Sequence, residues 1–450
     1  MSSGPLLILM ALTSFLVLPR PGLQTSKPAS VAELLLNDEI DKAEALLDSQ
    51  PASAAAAAYR GEIAYRRGDF SGADQLYREA IRMDEKTARA HFGLGKLALA
   101  RLKTKEAIVS LKRAIELDPN EALYHLYAGE AYGVQKRYSD QKAELDQYIK
   151  LAGSSEPDRV AEAKAGLDML AALEGKEAGA TEAPENPAPI AFRAMLNLIF
   201  TPLTINGQGP YNFVIDTGAT QTVISERVAT SQGFKPVATT IMHGVGGVGK
   251  VESKMYKVDE LTIGDVKIKN LPVGTFTDPL VTQIADGIIG TATLSDFIVT
   301  INYPERQMEL SRKPPAGESL PVWYFSNLLL LPVEVNGKFK GNFVIDTGAV
   351  TTVLSHSMAA KLGVTEDTPD AKVDVGIAGV GGTESVVLRV PEVMLKTDDN
   401  NEVFPQLVSI DLKNISRMIG TEIAGVLGYD FLSKYKVMLD YTKAEIRLLR

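Results

Sequence analysis

The feature that most constrains the fold is an internal duplication in the second part of the chain. The segment NFVIDTGATQTVIS at Asn212–Ser225 returns 130 positions later as NFVIDTGAVTTVLS at Asn342–Ser355. Two more segments repeat in the same order: GVGG at 244–247 and 379–382, and ADGIIGTATLSDFIVTINY at 285–303, which returns as IAGVLGYDFLSKYKVMLDY at 423–441. Short runs rich in Val, Ile and Thr, separated by Gly, Asn-Gly and Pro, predict strands throughout. The sequence therefore predicts two copies of one all-β unit.

The region 31–173 has a different pattern, with apolar residues at three- and four-residue spacing, which predicts helices. AIRMDEK at Ala80–Lys86 returns 34 residues later as AIELDPN at Ala114–Asn120, and Gly95 returns as Gly129. A 34-residue period with small residues at helix crossings resembles tetratricopeptide repeats. The resemblance implies helix pairs stacked into a solenoid, with a concave surface that docks a peptide or a partner protein. A structural spacer fits the same pattern.

A change of composition separates the two regions. GKEAGATEAPENPAP at Gly175–Pro189 has almost nothing apolar to bury, which predicts a flexible or extended linker. The predicted organisation is a signal peptide or N-terminal anchor (1–26), a helical repeat domain (30–174), a linker (175–190), a first β half-domain (191–313), a connector (314–325) and a second β half-domain (326–450).

The N-terminus carries a targeting signal. Leu6–Leu18 is an apolar run followed by Pro19, Arg20 and Pro21, and it is too short to cross a bilayer comfortably. It fits the hydrophobic region of a signal peptide better, so we expect export to the periplasm or the exterior. An uncleaved segment that associates with the membrane and a buried N-terminal helix are the alternatives.

Charge and residue types exclude several classes of function. The formal net charge of −9 and the isoelectric point near 5.3 argue against a nucleic-acid partner, which requires a basic surface. The absence of cysteine excludes disulfides, thiolate metal sites and cysteine nucleophiles. The four histidines are scattered without metal-ligand spacing: His91, His125, His243 and His356. We therefore expect neither a metal nor a cofactor.

The chemistry-bearing motif is Asp-Thr-Gly, which occurs in both copies after an apolar FVI strand. A single Asp-Thr-Gly is weak evidence, because such tripeptides are common in tight turns. Here each copy is followed by a Gly-rich loop and then by an apolar-apolar-Gly segment. This order resembles the retropepsin-like aspartic peptidases over nearly all of Ala191–Arg450. Most retropepsins obtain the second half by dimerising, whereas this chain carries both halves, as the pepsin-like enzymes do.

The resemblance implies a multidomain protein with an N-terminal all-α tetratricopeptide-type solenoid and C-terminal all-β duplicated pepsin/retropepsin-like barrels. It also implies a catalytic pair, Asp216 and Asp346, which share one proton and activate a water. Which aspartate is the base stays open. The residues implied to support the pair are Thr217 and Thr347, which bond to the opposite loop, and Gly218 and Gly348, which leave room for the turn. The residues implied to form flaps over an extended peptide substrate are Gly244, Val245, Gly246, Gly247, Gly379, Val380, Gly381 and Gly382.

Three functional hypotheses follow. The first is an aspartic endopeptidase whose repeats dock a substrate or partner protein. The second is a catalytically silent peptide-binding adaptor on the same fold, although both copies retain Asp, Thr and Gly. The third is action on the chain's own linker or N-terminal region. Serine and zinc hydrolases lack support because G-x-S-x-G and H-E-x-x-H are missing from the sequence. The difference between Thr220 and Val350 predicts an asymmetric cleft.

Overall fold

A computed structural model of the chain describes residues 30–243, 250–313, 317–373, 376–379, 382–384, 386–398 and 400–450. The described residues form two compact units, a helical one that extends to Leu167 and includes Gly420–Glu422, and a β-rich one composed of Asp168–Ile419 and Ile423–Arg450. The boundary between them falls within the last helix, Pro157–Ala172. The apolar segment Leu6–Leu18 lies outside the described residues, and its role as an export signal stays a prediction. Within the described ranges, no helix has the length and apolar character needed to cross a membrane.

The helical unit consists of antiparallel helix pairs. Its helices are α1 (Val31–Leu36), α2 (Ile40–Asp48), α3 (Ala54–Arg66), α4 (Phe70–Met83), α5 (Ala88–Leu99), α6 (Thr104–Leu117), α7 (Ala122–Val134), α8 (Tyr138–Ala152) and α9 (Pro157–Ala172). Side-chain caps define where some of them begin. Ser53 accepts a hydrogen bond from the amide of Ala56, and Asp69 accepts one from the amide of Gly72. These bonds satisfy amides that the first helical turn leaves free.

Three glycines at 34-residue intervals allow the helices of each pair to approach closely. A Cβ placed on Gly61 would lie 2.7 Å from the ring of Tyr77, and one placed on Gly95 would lie 2.7 Å from Cγ of Leu111. The third glycine, Gly129, makes the same approach, with a leucine side chain 3.2 Å from its Cβ position. Any larger residue would push the paired helices apart. The predicted tetratricopeptide-type solenoid is confirmed.

A buried ion pair links consecutive repeats. Lys96 Nζ lies 2.7 Å from Glu62 Oε2, and these residues occupy equivalent positions in the repeat. Arg66 Nε lies 3.0 Å from the other carboxylate oxygen, and the Tyr77 hydroxyl donates to Glu62 at 3.2 Å. Burial alone would raise the pKa of Glu62, but the charges of Lys96 and Arg66 outweigh it and lower that pKa to about 2.

The β-rich unit contains two half-domains. The first contains β1 (Ala180–Glu182), β2 (Ile190–Ala191), β3 (Arg193–Met195), β4 (Leu198–Ile205), β5 (Gln208–Ile215), β6 (Val223–Ser225), α10 (Glu226–Ser231), β7 (Ala238–His243), β8 (Lys250–Ile263), β9 (Val266–Phe276), α11 (Pro279–Ile284), β10 (Gly287–Ile289), α12 (Thr291–Leu294), β11 (Ile298–Asn302) and β12 (Gln307–Ser311).

The second half-domain follows the same plan. It contains β13 (Leu320–Pro321), β14 (Trp323–Phe325), β15 (Leu328–Val335), β16 (Phe339–Ile345), β17 (Val353–Ser355), α13 (His356–Lys361), β18 (Ile377–Gly379), β19 (Gly382–Glu384), β20 (Leu388–Thr397), β21 (Asn400–Ile410), α14 (Lys413–Ile419), β22 (Gly425–Leu427), α15 (Tyr429–Leu432), β23 (Lys436–Asp440) and β24 (Glu445–Leu449). Strands β13 and β14 lie in the segment interpreted above as a connector.

Each half-domain closes into a barrel with the same strand order. In the first, β9, β6, β10, β5, β4 and β8 are neighbours in that order, and β8 also pairs with β9. In the second, the order is β21, β17, β22, β16, β15 and β20, and β20 pairs with β21. Closure removes the unpaired edges that an open sheet would leave. The predicted pair of duplicated barrels is confirmed.

A separate sheet joins the two half-domains. Its order is β2, β12, β11, β23, β24 and β13, so the first three strands come from one half and the last three from the other. Strands β11 and β23 are antiparallel, and Thr300 pairs with Met438 at the centre of their register. The duplication is therefore built into one continuous sheet within a single chain.

Part of the segment interpreted as a linker is held on the first half-domain. Strand β1 pairs antiparallel with β9, where Thr181 faces Ile268, and Glu182 forms an ion pair of 2.5 Å with Lys269. Further along, the amide of Ala188 donates to Asp265 at 3.2 Å. Strand β6 pairs only with the last residues of β9, so the first part of β9 has free backbone groups on that side, and the extended linker satisfies them.

We predict that Lys96→Met destabilises the helical unit by about 3 kcal/mol at neutral pH. The substitution removes one of the two positive charges that compensate the buried carboxylate of Glu62 and leaves only that of Arg66. The exposed Lys105→Met is the matched control and should change stability by less than about 0.5 kcal/mol. Denaturant unfolding of the full chain, followed by circular dichroism at a helical wavelength, measures both.

The same variant has a pH signature. The lowered pKa of Glu62 means that its stabilising contribution is present above the ordinary carboxyl pKa and is lost as the pH falls towards about 2. The deficit of Lys96→Met should therefore shrink in acid. Equal stability of the two lysine variants at neutral pH would contradict this account.

Candidate active site

Two buried strands deliver the two Asp-Thr-Gly loops. Strand β5 ends at Ile215, directly before Asp216, and β16 ends at Ile345, directly before Asp346. The FVI residues of both strands are completely buried. Because these apolar residues are anchored in the barrel cores, the carboxyl groups that follow them occupy fixed positions.

The two carboxyl groups are buried and hydrogen-bonded in the same way. Asp216 is 1% exposed and Asp346 is 0% exposed. Asp216 Oδ1 accepts the amide of Gly218 at 2.8 Å, and Asp346 Oδ1 accepts the amide of Gly348 at 2.8 Å. The Oδ2 atoms are also buried and make no hydrogen bond with the residues that the structure describes.

Each glycine of the motif lies against the carboxyl group of the other half. A Cβ placed on Gly218 would lie 2.4 Å from Cγ of Asp346, and one placed on Gly348 would lie 2.3 Å from Cγ of Asp216. Real side chains cannot approach so closely, so only glycine fits at these two positions. The arrangement brings the two aspartates together across the boundary between the half-domains.

The two threonines lock the loops to each other. Thr217 Oγ1 donates to the carbonyl of Ile345 at 2.8 Å and accepts the amide of Thr347 at 3.0 Å. Thr347 Oγ1 donates to the carbonyl of Ile215 at 2.7 Å and accepts the amide of Thr217 at 3.1 Å. All four bonds cross between the half-domains. They fix the register of the two carboxyl groups.

The apolar-apolar-Gly segments support the loops from beside the delivering strands. Strand β10 runs parallel to β5, and the amide of Asp216 donates to the carbonyl of Ile289 at 3.0 Å. Strand β22 runs parallel to β16, and the amide of Asp346 donates to Leu427 at 3.1 Å. The supporting segments that sequence analysis associated with the two motifs therefore contact them directly.

Burial and proximity favour the protonated form of the pair. Burial, followed by the neighbouring charge of Asp346, raises the pKa of Asp216 well above its ordinary range. Burial also raises the pKa of Asp346 to about 6, against the hydrogen bonds that lower it. Two carboxyl groups this close cannot both ionise easily, so they titrate as a pair that retains one proton.

The two loops rest on different polar partners. In the second half, Asp430 accepts hydrogen bonds from the hydroxyl and amide of Thr352 at 2.5 and 2.7 Å and from the hydroxyl of Thr351 at 2.6 Å. In the first half, Thr222 and Thr293 share a hydroxyl–hydroxyl bond of 2.6 Å. Sequence analysis missed Asp430. Its only sequence signal is a difference, since Ala292 holds the equivalent position in the first copy.

A second pair of contacts between the halves was also missed. The side-chain amide of Asn197 donates to the carbonyl of Val350 at 3.3 Å, and that of Asn327 donates to the carbonyl of Thr220 at 3.5 Å. The two asparagines are 130 residues apart, like the two aspartates. Each lies in a two-residue hairpin turn with positive φ, a conformation that favours asparagine.

Two buried tyrosines lie near the carboxyl pair. Tyr303 and Tyr441 follow equivalent strands, β11 and β23, and their hydroxyl groups have no hydrogen-bond partner among the described residues. Burial raises the pKa of both, and the charge of Asp346 adds to the increase. The ring of Tyr303 also packs edge-on against Tyr429, with centroids 5.4 Å apart. Neither hydroxyl is placed to ionise near neutral pH.

The predicted flap residues are described only in part. Gly379 and Gly382 are paired at the ends of β18 and β19, which form a two-stranded hairpin. Val380, Gly381 and the first predicted flap, Gly244–Gly247, lie outside the described residues. No group of three or more His, Asp or Glu residues in the described ranges is arranged to hold a metal ion.

Comparisons with known proteins match both regions of the chain. The sequence model of the family described as aspartyl protease matches residues 201–293 and 331–431, which contain the two Asp-Thr-Gly loops. The model described as tetratricopeptide repeat matches residues 40–86 and 64–121. The resemblances drawn from the motifs are therefore confirmed for both regions. No curated protein of related sequence matches the chain.

Two solved structures are similar to part of the chain. The type III secretion translocator chaperone SycD of Yersinia enterocolitica is 17% identical, with 29% of this chain and 93% of that chain covered and a TM-score of 0.26. The first tetratricopeptide domain of Spaghetti (RPAP3), bound to an HSP90 peptide, is 13% identical, with 26% and 93% covered and a TM-score of 0.23. At these scores the likeness carries no argument about function.

We predict that Thr217→Val destabilises the β-rich unit by at least about 2 kcal/mol, because the buried amide of Thr347 and the carbonyl of Ile345 both lose their partner. Thr217→Ser keeps the hydroxyl and should lose much less. Thermal unfolding of the two full-length variants, followed in the near-ultraviolet, gives the comparison. If valine and serine are equally tolerated, the cross-half bonds do not hold the loops together.

Proposed function

We propose that this chain, whose β-rich region belongs to the aspartyl protease family, is an endopeptidase. Asp216 and Asp346 together catalyse the hydrolysis of peptide bonds in its substrate. The observation that carries the proposal is the mutual packing of the two loops, in which each glycine lies against the opposite carboxyl group. A buried pair of acids that retains one proton supplies a base and an acid at the same point. That is what amide hydrolysis by water requires.

The proposed reaction needs no covalent intermediate. The ionised carboxyl takes a proton from a water held between the two aspartates, and the water oxygen forms a bond to the peptide carbonyl carbon. The protonated carboxyl gives its proton to the carbonyl oxygen. As the tetrahedral intermediate collapses, the C–N bond breaks, the protonated carboxyl gives its proton to the leaving nitrogen, and the ionised carboxyl takes a proton from a hydroxyl of the intermediate. The pair is then back in its starting state with one proton.

The proposed substrate is a peptide or an unfolded protein segment in extended conformation. The hairpin of β18 and β19 supports this, because glycine-rich hairpins can hydrogen-bond an extended backbone and close over it. The GVGG segment at 244–247, in the first half-domain, is the other proposed flap. Both roles are carried over from the family resemblance and are part of the proposal.

The tetratricopeptide repeats indicate an interaction with another protein, and we propose that they dock the substrate or a partner of the protease. The competing hypothesis of a silent adaptor has the same repeats and the same barrels, so only activity separates the two. The third hypothesis is cleavage of the chain's own linker or N-terminal region, and cleavage of the linker at β1 would require that strand to leave β9 first. The docked state of Ala180–Glu182 therefore disfavours that linker as a substrate.

We predict that Asp216→Asn and Asp346→Asn each abolish cleavage of unfolded protein by the full chain, because either change removes one half of the acid–base pair. The loss should reach about 10³-fold or more in kcat. Asp259→Asn is a matched control, because the Asp259 side chain is 73% exposed. Undiminished cleavage by both single variants at the motif would refute the proposed pair.

The pH dependence follows from the same burial. Because both pKa values are raised, the shared proton is retained above the ordinary carboxyl pKa of about 4 and is lost as the pH rises further. Activity should therefore persist at mildly acidic pH and fall on the alkaline side. A wild-type chain that binds peptides tightly but cleaves none of a broad library at any pH would favour the silent adaptor.

A further inference from the structure

We propose that the two ends of the cleft differ in polarity, so that an extended substrate binds in one direction with an apolar side chain against Met195 and Leu196. This inference rests on the proposed peptide-binding function and adds a specificity element to it. The pseudo-symmetric turns at Leu196–Asn197 and Ser326–Asn327 carry it. Their equivalence lets one end of the site be compared directly with the other.

The asparagine contacts place each turn beside the loop of the opposite half. Asn197 of the first half binds the carbonyl of Val350, which is four residues beyond Asp346. Asn327 of the second half binds the carbonyl of Thr220, four residues beyond Asp216. An extended peptide advances about 3.3 Å per residue. A substrate centred on the two aspartates therefore passes one turn on each side within a few residues.

The chemistry of the two turns is different. Met195 and Leu196 are 47% and 59% exposed, so the first turn presents apolar surface. At the equivalent positions of the second turn, Phe325 is 6% exposed and residue 326 is a half-buried serine. One end of the site offers two exposed apolar side chains, and the other offers none at these positions.

The loop residues reinforce the difference. Val350, at the end of the site beside Leu196, packs against an apolar cluster of the first half-domain that includes Leu198 and Phe200. Its counterpart at the other end is Thr220, which is polar. The loop residue bound by the apolar turn is therefore apolar as well, whereas the loop residue bound by the Ser326–Asn327 turn carries a hydroxyl group.

The exposed leucine does not serve the fold. Leu196 has φ of 52°, a left-handed conformation that costs conformational energy for a branched residue, and Asn or Gly would fit the turn better. Its side chain also gains little from burial within the chain. A strained and exposed apolar residue beside the candidate active site is accounted for if a ligand covers it.

The test compares cleavage profiles of full-length variants on a synthetic decapeptide library, with the cut sites read by mass spectrometry. The variants are the double change Met195→Ser with Leu196→Ser, the reciprocal Ser326→Leu, and the control Val403→Ser, an exposed apolar residue elsewhere in the β-rich unit. Peptide binding to each variant is measured in parallel by fluorescence anisotropy, so that recognition can be read without cleavage.

The wild type should prefer an apolar residue at a position on one side of the cut by about tenfold or more in kcat/KM. The double serine variant should lose that preference and keep any residue preferences on the other side of the cut. The Ser326→Leu variant should gain a preference for an apolar residue on that other side. Val403→Ser should leave the profile unchanged. A wild-type profile with no apolar preference, or one that the double serine variant retains, would overturn the inference.

The binding measurement separates this inference from the proposed activity. If the wild type cleaves nothing but binds peptides with an apolar preference that the double serine variant loses, the endopeptidase proposal fails and the polarity of the cleft stands. If the wild type cleaves peptides but neither cleavage nor binding responds to the two turns, the activity stands and the inference fails. If the wild type neither cleaves nor binds, both fail.

Discussion

The β-rich unit depends on the interlocking of the two Asp-Thr-Gly loops. Burying two carboxyl groups side by side is unfavourable, because both lose hydration and each raises the energy of charging the other. The four threonine bonds between Thr217 and Thr347 and the opposite strands hold the loops in place against that cost. The shared sheet also joins the two half-domains, because β11 of the first pairs with β23 of the second. The site and the joint between the halves are therefore one structure.

Most of the architecture could be predicted because duplication repeats the same physical signals. The 34-residue period predicted the solenoid, since glycines such as Gly95 must recur wherever two helices approach closely. A single Asp-Thr-Gly is a common turn motif, but the second copy supplies a second carboxyl group and therefore predicts a catalytic pair. The prediction was weaker where a residue acts through geometry alone. Asn197 and Asn327 share the 130-residue offset, but nothing in the sequence indicates that each reaches across to the other half.

Differences between the copies were the hardest features to interpret from sequence. Asp430 supports the loop of Asp346 through three hydrogen bonds, yet a search for identical residues passes over it because the first copy has Ala292. The sequence predicts a linker at β1 because that segment has almost nothing apolar to bury, whereas pairing with β9 determines its conformation in the structure. Such asymmetry suits a single-chain protein, because two halves that never exchange can each take on a separate part of substrate recognition.

The central claim is that Asp216 and Asp346 of one chain form one complete site. The most direct test is titration of the purified full-length protein with a tight-binding, hydroxyl-bearing mimic of the tetrahedral intermediate, with the mass of the complex measured by light scattering. The account predicts one mimic bound per chain, in a complex that contains a single chain. One mimic bound per two chains would mean that the two carboxyl groups come from different molecules and would contradict it.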